Sequence, residues 1–80
     1  MSMPIQLNTL IITEGKEKRL EDNNFQIQFD GYHLYPLNTP LAVQRAINEE
    51  VIGEGSISKL VLTDEKTTII YKLTSLKSTN

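Results

Sequence analysis

The chain has 80 residues, with eight Lys and Arg against ten Asp and Glu, one histidine and no cysteine. That length suits a single domain, residues 1–80, whose core leaves a net stability of about 3 to 5 kcal/mol. The lack of cysteine removes disulfides, thiolate zinc sites, iron–sulfur clusters and thiol nucleophiles, and a formal charge of −2 supplies no global field toward phosphate backbones or anionic lipid.

Residues Ile5 to Thr13 begin by alternating apolar with polar and end β-branched, which predicts a first strand. Glu14 to Arg19 hold a glycine and five charges in six residues, so they form a solvated turn, and Leu20 is placed to pack back on one end of the fold. Glu21-Asp22-Asn23-Asn24 are turn formers. Phe25-Gln26-Ile27-Gln28-Phe29 is the clearest period-two segment: three large apolar side chains point one way and two glutamines the other. Asp30-Gly31 predicts a tight hairpin turn, with Tyr32 to Leu37 returning as a strand and Pro36 at its end or on an edge.

Asn38 to Val51 supports two readings. Thr39-Pro40 offers an N-cap with proline at the first helical position, and Val43, Ala46, Ile47 and Val51 then form a helical stripe that Gly53 stops. In the other reading Leu41, Val43, Arg45 and Ile47 line one face of a strand; propensity alone favours the helix. Gly53-Glu54-Gly55 predicts a bulge or bend, because the third glycine and the GK[ST] of a phosphate loop are missing. Ser56 to Thr63, a turn at Asp64-Glu65-Lys66 and the β-branched run Thr67 to Leu76 predict an antiparallel hairpin, and Lys77 to Asn80 is a polar tail. The expected fold is all-β, or mainly β with one short helix: a small antiparallel barrel or strongly twisted sheet of five to six strands.

Chemistry-bearing residues concentrate in Asp30-Gly31-Tyr32-His33-Leu34-Tyr35, where alternation puts His33 and Tyr35 on one face and Tyr32 and Leu34 on the other. A catalytic or small-ligand site would centre on His33 with Asp30 and Tyr35, yet no nucleophile or second base is fixed beside it. No HxxxH or HxH spacing exists, so no metal and no cofactor are expected. Tyr32, Tyr35, Arg45 and Lys59, if they converged, would suit single-stranded nucleic acid, but the acidic balance argues against that partner. The reading with most support is a non-enzymatic binding or protein-interaction module, meeting an unknown protein or a second copy of itself through Tyr32, His33, Tyr35 and Arg45. No segment reaches the ~20 apolar residues of a membrane span and Met1-Ser2-Met3-Pro4 carries no basic region, so a cytoplasmic protein is expected.

Met3-Pro4-Ile5-Gln6-Leu7-Asn8-Thr9-Leu10-Ile11-Ile12-Thr13 with Gly15-Lys16-Glu17, then Gly31-Tyr32, Tyr35-Pro36 and the ending Ser75-Leu76-Lys77-Ser78-Thr79-Asn80, resemble a family of short uncharacterised proteins from Bacillus-like bacteria. The resemblance spans nearly the whole chain and implies a bacterial cytoplasmic setting. It carries over no functional residue, and it tilts Leu41 to Ile47 from helix toward strand.

Overall fold

The computed structural model describes residues 6–76, all of whose regular structure is β-strand. The strands are β1 (Gln6–Leu7), β2 (Leu10–Ile12), β3 (Lys18–Arg19), β4 (Asn24–Asp30), β5 (His33–Leu34), β6 (Pro40–Gln44), β7 (Val51–Thr63) and β8 (Lys66–Leu76). Six of them form one sheet in the order β2-β6-β7-β8-β4-β3, while β1 and β5 form a separate two-stranded parallel pair. Among the described residues no helix is long and apolar enough to cross a membrane. The expected all-β class holds, in its twisted-sheet form.

Several particulars differ from the sequence-based expectations: the first strand breaks into β1 and β2, Lys18–Arg19 pairs as β3 within the expected turn, and only His33–Leu34 of the returning segment is strand. The sheet does not close into a barrel: β2 and β3 remain its two edges. The two edge strands are only three and two residues long, which leaves little ladder through which closure could run. Nor is the sheet wholly antiparallel, because β2 runs parallel to β6, Ile11 opposite Val43. Asp30-Gly31 does not make a hairpin. Gly31 takes a positive φ of 80°, but its N–H donates to Glu65 O at 2.7 Å, and the next strand, His33–Leu34, pairs with β1 instead of with β4.

The open question at Asn38 to Val51 resolves as strand followed by turn. Leu41 and Val43 are buried, whereas Ile47, which a helical stripe would have covered, is 65% exposed. Pairing on both sides, to β2 and to β7, outweighs a weak local preference for helix.

One face of the sheet carries the core. Register stacks Phe25, Tyr71 and Ile57 in one row, Ile27, Ile69 and Leu60 in the next, and Phe29, Thr67 and Leu62 in a third. Ile11, Ile27, Ile57 and Ile69 are fully buried, and Phe25 and Tyr71 stack at 5.5 Å between ring centroids. Ile57 and Leu60 share this face although three residues separate them, because the register slips at Ser58, where the ladder jumps from Ile57–Tyr71 to Lys59–Ile70. The register also shifts between Val43 and Gln44 and between Glu54 and Gly55, next to Gly53. The opposite face presents Lys18, Lys59, Lys66 and Lys72 with Gln26, Gln28 and Ile70.

Candidate functional site

Among the described residues, a cleft at His33 and an open stretch of β7 have the geometry to receive something. The cleft has a volume of about 210 Å³ and is lined by Asn8, Leu10, Ile12, Glu14, Phe29, His33 and Tyr35. His33 and Tyr35 therefore meet, as alternation required, with the Phe29 ring between them at 5.8 Å and 6.0 Å from their respective centroids. A larger depression of about 540 Å³ lies elsewhere, over Leu20, Glu21, Asn24, Ser58 and Ile70, and gathers no histidine.

The groups around His33 are already engaged with one another. Its Nε2–H donates to the Asp30 carbonyl at 2.9 Å, and Nδ1 lies 3.2 Å from Asn8 Oδ1. Thr67 ties the segment to β8: its hydroxyl donates to Gly31 O at 2.7 Å and accepts from His33 N–H at 2.9 Å. The Tyr32 hydroxyl points away, accepting the Glu65 N–H at 3.0 Å at the tip of the β7–β8 hairpin. Burial pushes the Tyr35 hydroxyl up to about 12, so it holds its proton. With Nε2 tied to the Asp30 carbonyl and this phenol protonated, the ring is held in place by the fold. Among the described residues no group of three His, Asp or Glu side chains converges on a metal position.

The fourth residue singled out in the sequence, Arg45, is exposed in the turn after β6, where its carbonyl accepts the Glu14 N–H at 2.8 Å. Among the described residues no side-chain hydrogen bond links it to Tyr32, His33 or Tyr35. The four candidates thus divide three ways: His33 with Tyr35 in the cleft, Tyr32 on the hairpin tip and Arg45 on the β6 turn. Thr67, whose place in a β-branched run marks it only as a β-former, makes two of the hydrogen bonds that hold this region to the sheet. Thr67→Val keeps the shape but leaves a buried N–H and a carbonyl without partners. It should destabilise the fold by about 2 kcal/mol and speed amide exchange at His33, as read by urea unfolding and hydrogen exchange.

The open edge arises because β7 outruns its neighbour. β6 pairs only with Val51–Ser56, and Asn38 N–H then takes Ile57 O at 2.9 Å. Beyond it, β7 has β8 on one side and, among the described residues, no strand on the other. The turn is the two-residue Asp64-Glu65, with φ of 54° and 60°, flanked by the pair Thr63–Lys66. In such a hairpin the flanking pair is hydrogen-bonded, so the main-chain groups of Val61 also face β8 while those of Leu60 and Leu62 face outward. Val61 and Leu62 are 36% and 39% exposed, so an apolar stretch accompanies the unpaired polar groups.

Comparison with known proteins agrees with this architecture over its whole length. The family model described as "Domain of unknown function (DUF2584)" matches residues 1–80. The uncharacterized protein YtmB of Bacillus subtilis (strain 168) is 44% identical over 80 residues, covering 100% of both chains. The X-ray crystal structure of ytmB from Bacillus subtilis superposes with a TM-score of 0.93, covering 100% of this chain and 99% of that one. On the full-length family match and this identity, the chain belongs to the DUF2584 family, a domain of unknown function.

Proposed function

We propose that this protein is a non-enzymatic interaction module that binds an extended peptide segment by strand addition along the open edge Lys59–Thr63 of β7. The observation that carries this reading is the outward main-chain hydrogen-bonding groups of Leu60 and Leu62, flanked by exposed apolar side chains. Added strands draw affinity from such main-chain groups and specificity from alternate side chains. Catalysis at His33 has less support, since Nε2 is engaged by the Asp30 carbonyl within the fold. Nucleic-acid binding also has less support, because Phe25, Phe29, Tyr35 and Tyr71 turn into the core, away from the lysine-bearing face. A cytoplasmic setting belongs to the same reading and rests on the cysteine-free composition.

Selection from a displayed library of extended peptides tests it. Bound peptides should shift the amide resonances of Lys59–Thr63. Leu62→Pro, which removes an outward donor and leaves the ladder to β8 intact, should weaken them at least about tenfold while keeping the fold. Peptides that map instead to the His33 cleft would refute strand addition.

A further inference from the structure

We infer that the partner taken up by this edge is a second copy of the same chain, paired antiparallel with itself about a two-fold axis through Val61. The inference rests on the edge reading above and specifies its occupant. The free stretch is closed at one end by the Asn38–Ile57 hydrogen bond and at the other by the Asp64-Glu65 turn, which leaves Lys59–Thr63, with Val61 at its centre. Because the outward groups sit at Leu60 and Leu62, Leu60 of each copy meets Leu62 of the other, completing four main-chain hydrogen bonds. Val61 then faces its own twin in a non-hydrogen-bonded pair, with Cα atoms about 4.5 Å apart.

The side chains agree with this register. Leu60 falls against Leu62 on the core-bearing face and Val61 against Val61 on the other, both favourable cross-strand pairs. Lys59, the single charged residue of the free stretch, falls opposite Thr63 and beside the acidic Asp64-Glu65 turn of the second copy. No like charges oppose each other, and the cation meets a carboxylate-rich tip. The symmetry closes the contact, so two edges consume each other and no filament forms. A five-residue pairing is about 17 Å long and lies at the small end of specific interfaces, so association is weak and rises with concentration.

Sedimentation of the unaltered chain over a concentration series should show the mass rise from 9.1 kDa toward twice that value. The absence of cysteine allows the register to be read by disulfide trapping with diamide. Val61→Cys alone should cross-link at least about tenfold faster than Lys59→Cys or Thr63→Cys alone, because only position 61 meets itself. A mixture of Lys59→Cys and Thr63→Cys should cross-link like Val61→Cys. A mass that stays at 9.1 kDa throughout, or trapping at 61 no faster than at 59 alone, would overturn the self-pairing. If the chain stays monomeric yet library peptides still map to Lys59–Thr63, self-pairing fails and strand addition stands. If it is monomeric and binds no peptide there, both fail.

Discussion

Gly53→Ala is expected to destabilise the protein by about 3 kcal/mol, close to the whole stability of a domain this small. Gly53 is buried within β7 and faces Leu76 across the ladder, and a Cβ placed there would overlap the Ser75 carbonyl oxygen. A carbonyl fixed in a sheet cannot swing aside as a flexible side chain does, so the two longest strands must separate locally. Gly15→Ala provides the contrast. Gly15 has a φ of 75° and nothing within 4 Å of the added atom, so alanine there costs only the left-handed backbone, about 1 kcal/mol. Urea unfolding followed by circular dichroism separates the two, and a Gly53→Ala loss no larger than that of Gly15→Ala would mean that β7 and β8 do not approach so closely.

Alkaline pH should unfold the protein through two tyrosines. Burial pushes Tyr35 up to about 12, and burial together with the negative charge of Glu17 does the same to Tyr71, each from an ordinary value of 10.0. Below pH 10 both phenols are protonated in the folded and unfolded chain alike, and their contribution is fully present. Above it the unfolded chain releases two protons that the folded chain retains until about pH 12, so stability falls as pH rises through that window. Both shifts act in the same direction, so together they remove a sizeable share of the stability of so small a fold. Tyr35→Phe and Tyr71→Phe should each flatten the pH dependence of the unfolding free energy between pH 10 and 12 by about one proton. An unchanged slope in both variants would show that other groups set the alkaline limit.

The parts of the fold legible in the sequence were those whose side chains alternate against a single buried face. Phe25, Ile27 and Phe29 announced β4, and the β-branched run from Thr67 announced β8, because each residue's direction is fixed by its immediate neighbours. The glycines at 53 and 55 marked irregular pairing, and the register does shift beside them. The Asp30-Gly31 turn was legible only as a positive φ, since whether a chain folds back depends on which strands already flank it. Residues 40–44 were ambiguous because a five-residue strand is too short to show its period and one of its two partners, β2, lies far back in the chain. The candidate site was half legible: alternation put His33 with Tyr35, but the groups that meet the two ring nitrogens belong to Asn8 and Asp30, which no spacing rule connects. The open edge was not legible at all. Leu60-Val61-Leu62 reads as one more apolar run, and only the place where β6 stops makes it an edge.

The strand order has a consequence for how the chain reaches this state. β2 and β3, adjacent in sequence, end up at opposite margins of the sheet, and each must wait for a bed that later residues provide: β6 and β7 for one, β8 and β4 for the other. Within the six-stranded sheet β3–β4, β6–β7 and β7–β8 can zip locally, whereas β2–β6 and β4–β8 must close long loops, so those two seams should form last. On the ribosome, β2 emerges with nothing to settle on until β6 and β7 have been synthesised, and the β3–β4 pair must wait for β8.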